Sequence, residues 1–301
     1  MDLPPASPGA GAVYDRGYRP YEGKRGGRGA ATLALYRASM RRALGLRRTW
    51  RQKVAPFVLL AIVTVPAIVN VGIGYIFRDR VVDKIEIITY REYVGVSSAL
   101  LLFVALVTPD VMCPDRRQQV LPLMFARPLT GVDYVVAKIG AIATILFAFS
   151  FLPQVVLFVG NMLVSDSALD YFTGHLDVLW KVPLAVALLA LYYAVIGLAI
   201  SSLTDRRIVA GAAVIGLFLV TSITSGIIIG ARPHDGGSYA GLINVLAMPL
   251  YLRDVVFLGR LGDDSRLTGV NSGALLAGAC YALVLVAGVA LLLRRYRWVE
   301  R

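Results

Sequence analysis

Apolar residues gather in six long runs, at 54–77, 94–112, 138–163, 182–203, 208–231 and 273–293, with polar joints between them. A helix needs about 20 residues to cross about 30 Å of hydrocarbon, and each run reaches that order of length. Backbone N–H and C=O groups in lipid find no water, so a crossing segment must satisfy them internally, and a helix does so within one segment. The runs are far too long for barrel strands. The pattern predicts an all-α integral membrane protein with six transmembrane helices.

The joints differ in kind. Residues 1–30 are rich in Gly and Pro, carry Tyr14, Tyr18 and Tyr21 among basic residues, and read as a disordered tail. Over 31–53, Leu33, Tyr36, Met40, Ala43, Leu44 and Trp50 recur at nearly helical spacing beside Arg37, Arg41 and Arg48. This predicts an amphipathic helix lying in the membrane interface. Within the joint 232–272, residues 239–259 are apolar enough to suggest a seventh span. Pro249 and Gly241 break that run, and Arg253 and Asp254 would sit in lipid at about 2.5–3.5 kcal/mol each. A re-entrant or interfacial helical hairpin is the expectation there. The joint 78–92 mixes charges with Val and Ile and reads as a solvated cap.

Charge orients the chain. With the N-terminus inside, the inner segments hold 22 Lys and Arg and the outer ones 9, as the positive-inside rule requires. The net charge of +12 is then a topological signal, not a mark of nucleic-acid binding. Charged residues are only 17% of the chain and hydrophobic ones 57%, so a soluble core could not hide the apolar surface. A signal peptide would place its apolar stretch within about the first 30 residues, and the first run here starts at Val54.

Chemistry is sparse. No run carries Lys, Arg, Asp, Glu or His at its middle, whereas ion-coupled carriers keep such groups at mid-depth. Asn70, Gln154 and Asn161 are the main polar residues inside the runs, read as helix–helix contacts first and as a substrate path second. Gly226 with Gly230, and Ala274 with Gly278, have the spacing that lets helices approach. Cys113 and Cys280 read as packing residues, His175 and His234 as surface residues, and no metal spacing occurs. Asp110 is the nearest approach to a catalytic group and reads as an end-of-helix carboxylate. The sequence has no Gly-rich phosphate loop ending in Lys-Ser or Lys-Thr. A membrane enzyme is poorly supported, and no cofactor is expected in this chain.

The inner joint 113–138 is the most distinctive. Asp115 after Pro114 is placed to cap a helix. Arg116–Phe125 can form a short helix with Leu121, Leu123, Met124 and Phe125 as apolar contacts, although Pro122 interrupts it. Arg127-Pro128-Leu129 forces an extended break, and Lys138 marks the inner edge of the next span. Such a helix suits either docking of a soluble partner or rest on headgroups.

The order Asp115-Arg116-Arg117, Val120-Leu121-Pro122-Leu123, Ala126-Arg127-Pro128-Leu129, then Asp133-Tyr134 and Lys138 resembles the cytoplasmic loop of ABC-2 type transporter permeases. The six-span layout, basic N-terminal helix and hairpin before the last span are similar to that family, over about residues 31–298. The resemblance implies a permease subunit that pairs with a second permease, as homo- or heterodimer, beside two separate ATPase chains that hold ATP and Mg. It implies ATPase coupling through Asp115, Arg116, Arg117, Gln118, Leu121, Phe125 and Arg127, with Asp133, Tyr134 and Lys138 anchoring the loop to the third span. The domain reading is a tail over 1–30, an interfacial helix over 31–53, a six-helix domain over 54–294 and a cytoplasmic tail over 295–301. The expected function is export of an amphipathic or lipid-like solute; the alternative is a non-transporting scaffold or sensor that uses the same loop. Five Lys against 26 Arg, with abundant Ala, Gly and Val, suggest a bacterium with a GC-rich genome and hence a bacterial plasma membrane.

Overall fold

A computed structural model of the chain describes residues 26–45, 50–76, 89–94, 97–121, 124, 129–231, 238–263, 265–267, 270 and 272–300. Every regular element among them is helical. They are α1 (Arg28–Ala43), α2 (Trp50–Ile76), α3 (Tyr90–Tyr93), α4 (Ser97–Arg117), α5 (Gly131–Val164), α6 (Ala168–Gly174), α7 (Leu176–Ser201), α8 (Arg207–Ala231), a 3-10 turn (Tyr239–Ile243), α9 (Met248–Leu258) and α10 (Gly273–Glu300).

Among the described residues five helices are long and apolar enough to cross a membrane: α2 from Pro56, α5, α7, α8 and α10. The chain is a helical protein of the multi-pass membrane kind. Residues 97–112 of the run at 94–112 lie in α4, whose second half carries Asp110, Asp115, Arg116 and Arg117; it is not one of the five.

The long helices alternate in direction, so the joints fall at two ends. At one end lie α1, the α4–α5 and α7–α8 connections and the C-terminal end of α10. At the other lie α3, α6, the 3-10 turn and α9. Centrally placed α7 buries Ala185, Val186, Leu189, Tyr192, Tyr193 and Leu198. Around it pack α4, α5, α8, α9 and α10, while α5 also receives α1 and α2. Outward faces stay apolar, with Ile62 and Ile68 on α2, Val220 and Ile227 on α8 and Leu283 and Val286 on α10 exposed. Such faces suit hydrocarbon and not water.

Close packing is set by particular glycines. A Cβ on Gly197 would stand 2.6 Å from Thr108 Cγ2, and one on Gly211 would stand 2.9 Å from the Ala105 carbonyl oxygen. These two hold α7 and α8 tight against α4. The pairs expected from spacing behave otherwise: a Cβ on Gly230 or Gly278 meets nothing within 4 Å, and one on Gly226 meets only the Arg266 guanidinium. Their spacing is that of packing helices, but Gly230 and Gly278 face open space among the described residues, whereas Gly226 faces Arg266 and Ala274 packs against the core.

Several boundaries move. The helix expected over 31–53 is two pieces: α1 stops at Ala43, Gly45 turns with φ 67, and Trp50 opens α2. A positive φ is where glycine is favoured, and it ends the helix. Asp115 caps no new helix, because α4 runs on through Pro109 and Pro114 to Arg117; proline is tolerated in packed membrane helices whose neighbours satisfy the freed backbone. Gln119 then turns the chain with φ 52. Leu121 and Met124, the described residues that follow, are helical, and the next long helix begins at Gly131, not 138, because Thr130 and Asp133 form a capping box there. Residues 239–259 form no span: the 3-10 turn leads to an 11-residue helix ended by Gly259 at φ 69. Of the tail expected over 1–30, residues 28–30 instead open α1, while residues 1–25 and most of the joint 78–92 lie outside the described residues.

Candidate functional site

The end of α4 carries Asp115 into the middle of three other elements. The first two turns of α5 present Tyr134 and Lys138, four residues apart and so on one face. The last turn of α1 presents Arg42. Lys138 Nζ lies 2.6 Å from Asp115 Oδ2, and the Tyr134 hydroxyl donates to the same oxygen at 2.9 Å. Arg42 Nη1 donates to Oδ1. Lys138 donates also to the Val111 carbonyl at 3.0 Å, in the turn interrupted by Pro114. Its ammonium stands 5.2 Å from the Tyr134 ring centroid, within cation–π range. The Tyr134 ring packs on Tyr296 of α10 at 4.8 Å. Three helices therefore meet at one carboxylate, and Tyr296 links a fourth to it through Tyr134.

Asp115 and Lys138 are 0% and 1% exposed. Burial pushes the Asp115 carboxyl up, but the charges and hydrogen bonds of Lys138 and Arg42 outweigh burial and hold it below the usual carboxylate range. An ionised carboxylate accepting three hydrogen bonds satisfies what burial demands of it.

A second set of bonds ties α4 to the connection between α7 and α8. Arg116 Nη1 donates to the Ser202 carbonyl at 2.6 Å. The Cys113 thiol faces the carbonyls of Ser201 and Thr204 at 3.8 and 3.6 Å. Arg207, opening α8, pairs with Asp110 at 2.5 Å. Asp110 is thus held by a cation.

The expected coupling residues divide. Asp115, expected on a docking surface, is fully buried and joins Tyr134 and Lys138 in the internal network, because α4 continues as helix and swings its carboxylate toward α5. Leu121 is 8% exposed and belongs to the core cluster. Arg116 is half-buried. Arg117 and Gln118 are exposed. Phe125 and Arg127 lie outside the described residues. Asp133 stands at the start of α5, where Arg28 pairs with it at 2.6 Å and donates to Thr130 Oγ1 at 3.1 Å. Exposed Arg37 and Arg41 of α1 flank Gln118 across a recess of about 520 Å³.

The interior amides sit near the other end. Gln154 donates to the Tyr90 carbonyl and Asn161 to the Tyr90 hydroxyl, both at 3.3 Å. That hydroxyl also meets Tyr171 at 2.6 Å. Asn70 lies buried on α2, and among the described residues no hydrogen bond joins it to Gln154 or Asn161. At the same end, buried Asp254 is paired with Arg253 at 2.7 Å and with Arg91 at 3.4 Å, and Arg253 donates to the Val94 carbonyl at 2.9 Å. His175 stacks on Tyr171, and His234 lies outside the described residues. Among the described residues no three His, Cys, Asp or Glu gather as a metal site would require.

Sequence reading missed Arg42, Tyr296 and the Asp110–Arg207 pair. Arg42 had a local signal, a basic residue in the last turn of a helix. The other two depend on helices far apart in sequence. No protein-family model matches this chain, and neither does any curated protein.

Proposed function

We propose that this chain is the permease subunit of an ABC-2 type exporter, forming the path by which an amphipathic or lipid-like solute leaves the cell. In this reading α4 is the sixth crossing, α1 lies along the inner membrane surface, and the end that carries Asp115 is cytoplasmic. The basic residues support that orientation: Arg37, Arg41, Arg116, Arg117, Arg206, Arg294 and Arg295 all belong to segments at this end. A second permease subunit completes the path. Two ATPase chains bring ATP and Mg, which fits a chain with no phosphate loop of its own.

The observation that carries the proposal is the convergence on Asp115. A coupling loop must move several helices together when a soluble partner pulls on it. Here the segment ending in exposed Arg117 and Gln118 is joined through Asp115 to Lys138 and Tyr134 of α5 and to Arg42 of α1. Displacing the end of α4 displaces three helices, and Tyr296 passes the motion to α10. The recess between Arg37, Arg41 and Gln118 offers guanidinium groups to an acidic side chain on the partner. Gln154, Asn161 and Tyr90 are the polar groups a passing solute would meet near the far end.

The test is reconstitution. The chain is coexpressed with a candidate ATPase subunit carrying a phosphate loop, purified, and placed in proteoliposomes. Co-purification together with ATP-dependent flux of a labelled amphiphile is the expected result. Co-purification without flux of any amphiphile would favour the scaffold alternative, and ATP hydrolysis by this chain alone would overturn both.

A further inference from the structure

At the C-terminal end of α10 a cavity of about 510 Å³ opens between that helix, the end of α4 and the turn after α7. Arg116, Arg294 and Arg295 charge it, and Leu121, Leu203 and Leu291 supply apolar walls. Among the described residues no acidic one lines it. Among the described residues neither Arg294 nor Arg295 has an ion-pair partner. Arg116 is held in place by its bond to the Ser202 carbonyl, so part of the positive field is preorganised. Leu203 and Leu291 are 54% and 40% exposed, and they stand beside the cations where the apolar stretch of α10 gives way to its basic end.

These two surfaces together select a ligand class. A purely apolar solute gains nothing from three guanidinium groups. A free inorganic anion gains nothing from exposed leucines. A phosphate diester with acyl chains uses both: the guanidinium fork matches its oxygens, and the chains continue along Leu203 and Leu291 into hydrocarbon. The size lies within the range of small-molecule sites, about 300–1,000 Å³. The depth is that of headgroups, since basic pockets between membrane helices at a cytoplasmic edge take anionic lipids.

We propose that this cavity binds the phosphate headgroup of an anionic membrane lipid. The site is separate from the Asp115 network and needs only that the helices lie in a membrane, so it stands whether or not an ATPase binds the chain.

The full chain, purified in neutral detergent, is titrated with phosphatidylglycerol, phosphatidylcholine or inorganic phosphate while its melting temperature and its lipid adducts in native mass spectra are followed. Phosphatidylglycerol is expected to raise the melting temperature saturably and to remain as a bound adduct, and phosphatidylcholine to do neither. The double variant Arg294→Gln with Arg295→Gln is expected to weaken the apparent affinity about thirtyfold, from two basic side chains at a membrane surface. Arg206→Gln, which removes an exposed charge at the same end but outside the cavity, is expected to leave it unchanged. Equal stabilisation by phosphatidylcholine overturns the proposal, as does undiminished phosphatidylglycerol binding by the double variant. An equal shift with inorganic phosphate at matching concentration makes this an ion site and overturns the lipid assignment.

Discussion

Lys138, two turns into α5, places its ammonium 2.6 Å from the carboxylate of Asp115 at the end of α4, and water reaches neither side chain. Taking two charges out of water costs several kcal/mol per ion, and mutual attraction recovers this only when every remaining bond is made. Here the remaining bonds are made by Tyr134, Arg42 and the Val111 carbonyl. The pair is a fixed joint between two helices separated by a connecting loop.

Breaking the joint on one side should cost more than removing it. Asp115→Asn strands Lys138 in the interior and is expected to lower stability by about 3–5 kcal/mol. Lys138→Met leaves Asp115 with Arg42, which is one-third exposed, and should cost less. The double variant Asp115→Leu with Lys138→Met is expected to recover much of the loss, since apolar pairs of similar volume often replace buried ion pairs without penalty. Thermal unfolding of the purified chain in detergent checks the order; a double variant worse than both singles would show that the pair is no isolated joint.

The same carboxylate sets an acid limit. Its folded-state pKa lies below the ordinary value of 3.8, so the unfolded chain binds the proton more readily. The stability it contributes is complete above that ordinary value and is lost as pH falls through the lower folded value. The gap in melting temperature between the natural chain and Asp115→Asn is therefore expected to stay constant from neutral pH down to about pH 5 and to narrow below about pH 4. Melts over that range read it directly, and a gap that opened on acidification would contradict the assignment.

Glycine position gives a third expectation. Gly211 faces a backbone carbonyl of α4 at 2.9 Å from where a Cβ would stand, and backbone cannot swing aside as a flexible side chain can. Gly211→Ala is expected to cost about 1–3 kcal/mol by overpacking. Gly278→Ala, with open space at its Cβ, should be neutral or slightly stabilising, since alanine is the better helix former. Melting temperatures of the two variants, measured side by side, test the ranking.

Much of the helical framework was legible because span length and hydropathy answer to one solvent, the lipid, and need no knowledge of neighbours. Five of the six runs coincide with helices that meet the length and composition of a crossing. The 94–112 run was less transparent, because α4 carries charges beyond its apolar stretch that only its neighbours neutralise. Loop detail was harder still. Pro114 looked like a boundary, but α4 runs through it, because packing against neighbouring helices holds a membrane helix whose backbone bond a proline has removed. Asp115 looked like a surface residue because its partners Arg42 and Lys138 lie on other elements, and sequence spacing carries no sign of that convergence. Thr130 and Asp133 show the reverse case: their capping box is a local pattern, visible in the order of residues, and it fixes the start of α5 seven residues before the apolar run begins.

Surface and interior can be separated at the proposed docking face. Arg117 and Gln118 project from the end of α4 into solvent, whereas Leu121, four residues after Arg117, is packed in the core. Charge reversal of an exposed residue removes attraction to a partner without opening a cavity, and truncation of a buried leucine does the opposite. Arg117→Glu with Gln118→Glu is expected to reduce co-purification of the ATPase by tenfold or more while leaving the melting temperature within a degree or so, since rim charges govern partner choice and association more than fold. Leu121→Ala is expected to lower stability by about 2–5 kcal/mol and to weaken ATPase binding only as far as the folded population falls. If the charge-reversed variant still binds the ATPase fully while Leu121→Ala abolishes binding with an unchanged melting curve, the leucine faces the partner and the inward placement of this segment does not describe the complex.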